Sequence, residues 1–212
     1  MELEKIETTT TNLLPPLKVL NNGYVSLVDC MGGDYSVVRN ARRCWRSESS
    51  SSEKANSNLI KHLLKEKHMT PFEAVTFTFD VKTPLFVARQ WFRHRVGSYN
   101  EESLRYCVAD QDYYVPDGLD PETCNMWHYA NERQFHMYHK LLEKGLKKEL
   151  VRSILPVGMY TKFYWTVNGS SLMNFLKLRK SVHAQFEIKQ YANAIHELVK
   201  QVAPVSFGNL DI

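Results

Sequence analysis

Alternation of apolar and polar positions marks the strands. Val75-Thr-Phe-Thr-Phe-Asp-Val81 alternates without a break and predicts the firmest strand of the chain. Tyr24-Val-Ser-Leu-Val-Asp-Cys30 alternates up to the Gly32-Gly33 break, and Tyr160–Val167 is rich in aromatic and β-branched residues. Tyr113–Pro116 reads as a short strand end. Helical spacing predicts Tyr35–Cys44 with Asp34 as its cap, then Lys54–Lys67 with Leu59, Leu63 and Leu64 on one face. A further helix is predicted to start at Thr83-Pro84, hydroxyl as cap and proline at its first position, with Leu85, Ala88, Trp91 and Phe92 as its buried stripe. A long one runs from Asp120 to about Lys144, closed by Gly145. Lys147–Leu155 is expected as a short helix. Asn168-Gly169-Ser170 is expected as a turn before a helix over Ser171–Arg179, and Ala184–Val202 is the last, with Phe186, Tyr191, Ile195 and Leu198 on its apolar face. Residues 1–22, with a threonine run and Pro15-Pro16, are expected as an irregular arm, and Ser47–Glu53 as a low-complexity loop.

Strands separated by unequal helices, without repeats or a glycine-rich dinucleotide fingerprint, predict an α+β fold. The architecture expected is a central, mostly antiparallel sheet wrapped by helices, with a long-helix region. At 212 residues a single domain, 1–212, is expected.

Composition narrows the class: 43% hydrophobic and 24% charged residues are those of an ordinary globular protein, and no apolar run suffices to span a membrane. The acidic start, Met1-Glu-Leu-Glu-Lys-Ile-Glu7, lacks the layout of a secretory signal, so a cytoplasmic protein is expected. Cys30, Cys44, Cys107 and Cys124 lie far apart with no Cys-x-x-Cys pair, and are expected reduced. A net charge of +4, spread along the chain, suits a small phosphorylated ligand better than a nucleic acid.

The candidate chemistry concentrates in Arg93-His-Arg-Val-Gly-Ser-Tyr-Asn-Glu-Glu-Ser-Leu-Arg-Tyr106, directly behind the apolar Pro84–Phe92 run. Lysine, the usual filler of solvated faces, is absent from these fourteen positions while arginine appears three times. Planar guanidinium forks hold phosphate or a pyrimidine edge through paired hydrogen bonds, so an anionic ligand is implied. Gln90 lies three residues before Arg93 on the preceding helix and can reach the same pocket. A competing signal is His128, Glu132, His136, His139 and Glu143 at helical spacing. One helix face rarely supplies a full coordination shell, so an amphipathic surface helix is the simpler reading and no metal is assigned.

The motif matches Arg-His-Arg-x-x-Ser-x-Asn-Glu-x-Ser-x-Arg-Tyr, and by it the chain is similar to the flavin-dependent thymidylate synthases, a likeness extending from about Gly33 to about Pro204. That resemblance implies conversion of dUMP to dTMP, with 5,10-methylenetetrahydrofolate as one-carbon donor and NADPH-reduced FAD as redox and transfer cofactor. It implies dUMP contacts at Gln90, Arg93, Glu101, Ser103, Leu104 (through its backbone), Arg105, Arg152 and Arg179. Of these, Arg179 is the catalytic residue, favouring ionisation at N3. It implies FAD contacts at Thr70, Arg93, His94, Arg95, Glu101, Asn168, Asn174 and His183, and links His68 to folate and methylene transfer. Judged on position alone, His68 would be a histidine at a helix C-terminus, and Arg179 a cation at another. Ser103 is read as a binding residue, because no oriented base accompanies it in a nucleophile motif. The family also implies a homotetramer with active sites shared between subunits. Two departures stand out. Ser170 occupies a position where the family often has arginine, weakening the grip on the FAD pyrophosphate or adenosine, and Leu104 stands in place of glycine. The rival readings are a metal-dependent enzyme and a nucleotide-binding module without turnover.

Overall fold

The computed structural model describes residues 13–44 and 52–210. Five strands form one sheet in the order β1-β2-β3-β5-β4, every pairing antiparallel: β1 (Leu17–Val19), β2 (Gly23–Met31), β3 (Thr76–Pro84), β4 (Ser98–Glu101) and β5 (Tyr160–Asn168). With eight helices packed around this sheet among the described residues, the expected α+β architecture stands. The alternation in β3 places Phe77, Phe79 and Val81 on a fully buried face, matched across the register by Val167, Trp165 and Phe163 of β5. On the other face Thr78 and Thr166 face each other, their hydroxyl oxygens 3.0 Å apart.

The helices are α1 (Asp34–Arg43), α2 (Glu53–Lys65), α3 (Leu85–Trp91), α4 (Pro121–Glu143), α5 (Lys148–Val151), α6 (Gly169–Arg179), α7 (Phe186–Val202) and α8 (Pro204–Gly208). Trp91, at the end of α3, is fully buried, its ring 5.3 Å from Phe163, 5.4 Å from Trp165, 5.0 Å from Phe175 and 5.8 Å from Tyr191. One aromatic cluster thus joins α3, β5, α6 and α7 directly beneath the arginine motif. A second core lies under α4, where Phe135 and Tyr138 meet Tyr113, Val151 and Met159. The long helix starts as expected: Asp120 accepts from the N–H groups of Glu122 and Thr123, and Gly145 beyond its end has φ of 84°.

Several expectations are corrected. The arm expected irregular through residue 22 contains β1, which pairs with Gly23–Val25; residues 1–12 lie outside those described. The loop expected over Ser47–Glu53 also falls largely outside them, and Glu53 already opens α2. Asp34 does not cap α1. It is the helix's first residue, and its carboxylate accepts from the N–H groups of Val205 and Ser206 and from the Ser206 hydroxyl, pinning the unanticipated α8. Thr83 and Pro84 remain in β3, because the first N–H groups of α3 are satisfied from afar: Leu85 donates to Met159 O at 2.8 Å and Phe86 to Val157 O at 3.0 Å. Asn168-Gly169-Ser170 is no turn either. Asn168 ends β5 and caps α6 through its side chain, which accepts from Ser171 N–H at 2.9 Å. Phe186, assigned to the apolar face of the last helix, is 58% exposed at its start.

Candidate active site

The chain after α3 turns through Arg93–Gly97 into β4, held on the sheet by Tyr99. Its hydroxyl donates to His94 O at 2.7 Å, and its ring stacks 6.1 Å from Trp165 and meets Phe92 at 5.0 Å. Across from this segment α6 continues directly out of β5. Arg93, His94, Arg95 and Val96 on one side, with Ser170, Ser171, Asn174, Leu178 and Arg179 of α6 on the other, line an open cleft of about 360 Å³. Among the described residues three with guanidinium groups and one with an imidazole line it, and none with a carboxylate.

Arg179, the last residue of α6, is held on two edges. Its Nε donates to His94 Nε2 and its Nη2 to Gln90 O, both at 2.9 Å. Because a guanidinium can only donate, His94 Nε2 accepts and the ring's proton sits on Nδ1. Burial, and then the Arg179 charge, push the His94 pKa from its ordinary 6.5 to about 4. The imidazole is therefore neutral at physiological pH and serves as a fixed acceptor, packed edge-on at 4.9 Å against Phe175. Burial also lowers the pKa of Arg179 itself. Two hydrogen bonds leave both Nη1 protons and one Nη2 proton free for a ligand.

The other end of the motif lies apart. Glu101 accepts from the Thr161 hydroxyl at 2.7 Å; Glu102 Oε1 accepts from Lys162 N–H at 3.2 Å. Ser103 Oγ accepts from Arg105 N–H at 3.4 Å, and no histidine or carboxylate among the described residues bonds it. Arg105 and Arg152 converge on α5, the first at 3.9 Å from the Glu149 carboxylate and the second donating to Glu149 O at 3.3 Å. Leu104 packs against the core under α4. Among the described residues no hydrogen bond or ion pair joins this group to the Arg93–Arg179 cleft.

Two more cavities follow in series from the cleft. One, of about 680 Å³, shares Ser170 and Asn174 with it and adds Lys61, Lys65, Lys67 and Lys177 together with Leu64, Met69 and Met173. The next, of about 820 Å³, shares Lys67 and Met69 with the second and holds His62, His68 and Thr70 against Leu59, Leu63 and Pro71.

A family model described as thymidylate synthase complementing protein matches residues 26–205. The flavin-dependent thymidylate synthase of Thermosipho melanesiensis is 45% identical over 209 residues, covering 90% of this chain and 91% of that protein. The chain belongs to the flavin-dependent thymidylate synthases. The enzyme of Thermus thermophilus is 40% identical over 91% of this chain and 77% of its own length. Among solved structures, a UMP/dUMP methylase from Streptomyces cacaoi bound with 5-Br dUMP superposes with a TM-score of 0.83 at 30% identity, covering 91% of this chain and 96% of that one.

Of the positions drawn from the resemblance to this flavin-dependent synthase family, the structure brings Arg93, His94, Arg95, Asn174 and Arg179 to one cleft, with Gln90 touching it through its carbonyl. The Gln90 side chain instead donates to Gln185. His68 and Thr70 line the third cavity. Asn168 is occupied as the α6 cap, and His183 lies exposed beyond α6, its N–H bonded to Ser181 Oγ. Glu101, Ser103, Leu104, Arg105 and Arg152 form the separate group near α5. The competing metal face divides: His128 Nδ1 lies 2.7 Å from the Tyr113 hydroxyl, which also donates to Glu132, and the His139 ring packs on Tyr138. Among the described residues no three such side chains converge on a metal position. Sequence reasoning missed Ser171, Leu178 and the four lysines. The lysines sit on exposed faces of α2 and α6 or, for Lys67, just past the end of α2, where lysine is ordinary, and only their convergence marks them.

Proposed function

We propose that this chain is a thymidylate synthase that methylates dUMP to dTMP, taking the one-carbon unit from 5,10-methylenetetrahydrofolate and reducing equivalents from NADPH through FAD. The observation that carries the reading is Arg179: a guanidinium clamped by a neutral imidazole and a backbone carbonyl, with three N–H donors left to face a pyrimidine in an acid-free cleft. Such preorganised donors stabilise negative charge as it develops at N3 and O2 or O4, which enriches C5 for attack on the one-carbon unit.

The cationic, carboxylate-free walls of the first two cavities, with Leu64, Met69 and Met173 beside them, suit an anionic dinucleotide with an aromatic ring system. Arg93, His94, Arg95, Thr70, Asn174 and, secondarily, Glu101, Asn168 and His183 would hold FAD. When bound, the flavin supplies the redox and one-carbon transfer chemistry, and the protein binds, orients and excludes water. Arg105 and Arg152 take the dUMP phosphate; Gln90, Arg93, Glu101, Ser103 and the Leu104 backbone position the nucleoside. His68, which lines the third cavity, serves the folate.

The dUMP residues fall into two groups within one chain, which fits a homotetramer whose sites combine the arginine cleft of one subunit with the Ser103–Arg105 segment of another. Exposed Met126, Tyr129 and Met137 on α4, together with Leu178, Val182 and Phe186, supply apolar surface for such contacts. Four free thiols fit a cytoplasmic location. The test is an anaerobic absorption spectrum of the purified protein followed by a dTMP assay. Flavin bands that bleach with NADPH, and dTMP formed only when dUMP and methylenetetrahydrofolate are both present, are expected. A protein that takes up no FAD, or that binds FAD without forming dTMP, would overturn the assignment.

A further inference from the structure

Lys61 and Lys65 stand one turn apart on α2, Lys67 follows the helix end, and Lys177 faces them from α6. All four are exposed, and no hydrogen bond or ion pair joins any of their side-chain ammonium groups to another described residue. Like charges at this spacing repel, so the arrangement costs stability unless an anion sits among them. Lys67 adds a second cost. Its φ is 56°, the left-handed conformation that glycine ordinarily takes after a helix, and there its side chain lines both the second and the third cavity. The lysine cavity opens into the arginine cleft at Ser170 and Asn174. Ser170, a small side chain on the wall common to the two cavities, is also where the family often carries arginine.

We propose that Lys61, Lys65, Lys67 and Lys177 form the diphosphate site for FAD in this chain, supplying from α2 and the outer side of α6 the positive charge that an arginine at position 170 would otherwise give. The inference rests on the flavin reading above and deepens it. A diphosphate carries two negative charges and several acceptor oxygens, and flexible ammonium groups spread over two helices can surround it without fork geometry. With the ring system in the arginine cleft, the phosphates would reach the lysines across the wall at Ser170 and Asn174 that the two cavities share.

The decisive experiment is titration of apo-protein with FAD and, separately, with riboflavin, which lacks phosphate, by flavin fluorescence across a salt series. For Lys67→Gln/Lys177→Gln the FAD dissociation constant is expected to rise about twentyfold at low salt, with a flatter salt dependence, while riboflavin affinity stays within about twofold of wild type. Adding Ser170→Arg to that variant is expected to recover about fivefold of the loss. Unchanged FAD affinity in the lysine variant overturns the proposal, as does an equal loss for riboflavin. So does unchanged FAD affinity with a raised KM for NADPH but not NADH, which would give the lysines to the cosubstrate's extra phosphate. A wild-type protein that binds neither flavin would instead overturn the flavin reading itself.

Discussion

Arg179 Nε donates to Nε2 of His94 across 85 residues of sequence. The bond demands a neutral imidazole, and this makes the site sensitive to acid. The native pKa is about 4, against an ordinary 6.5 for the unfolded chain, so between these values the unfolded state binds the proton first. Stability supplied by the neutral ring is fully present above pH 6.5 and is lost as pH falls toward 4. Thermal melts from pH 7.5 to 4 are expected to show a falling Tm in that window, and His94→Gln, whose amide oxygen can still accept from Arg179, a flatter profile. An identical slope in both proteins would contradict the argument.

Arg179→Lys keeps the charge but loses the fork. The ammonium cannot bond His94 and Gln90 O and still present three donors to a pyrimidine. dTMP formation is expected to fall about 100- to 1000-fold, the usual loss when a preorganised donor at developing charge is removed. FAD binding, measured by equilibrium titration, is expected to change little.

Among the described residues no histidine or carboxylate bonds Ser103 to activate it. Ser103→Ala is expected to raise the KM for dUMP while retaining measurable turnover in a steady-state dTMP assay. Complete loss of turnover with dUMP and FAD still bound would mean the hydroxyl takes part in the chemistry.

Asp34 tests the scaffold behind the site. Its carboxylate satisfies two N–H groups and a hydroxyl at the start of α8. Asp34→Ala is expected to cost about 2 kcal/mol, in line with losing a helix cap made by a charged acceptor. Urea denaturation would measure it as a lower midpoint with an unchanged slope.

What could be read from the sequence was whatever neighbours in the chain decide. The alternation of β3, the aromatic run of β5 and the Asp120 to Gly145 bounds of α4 are local signals, and each appears where expected. The concentration of arginines in the motif was legible because its residues are contiguous, and its first three residues, Arg93, His94 and Arg95, line the cleft. What escaped depends on partners far away. Leu85 and Phe86 take their acceptors from Met159 and Val157, so the helix begins after Pro84 rather than at it. Asp34 finds its partners 171 and 172 residues on. β1 has three residues, too few to carry a period. Within the site, the His94–Arg179 bond and the gathering of lysines from α2 and α6 exist only once the helices pack.

Asn168 is at once the last residue of β5 and the cap of α6, so no loop separates sheet from helix. Gly169 completes the joint: its N–H bonds Val75 O at 2.8 Å, and a Cβ there would lie 2.7 Å from Phe72 O. Length is therefore as constrained at this point as residue type. One residue inserted between Asn168 and Gly169 would turn the whole of α6 by about 100° about its axis and swing Asn174 and Arg179 away from the cleft and Lys177 away from its cavity together. The exposed stretch around Gly118, where an added Cβ would meet nothing within 4 Å, offers the opposite case, a place where the chain can lengthen over generations while the reading frame of the site stays fixed.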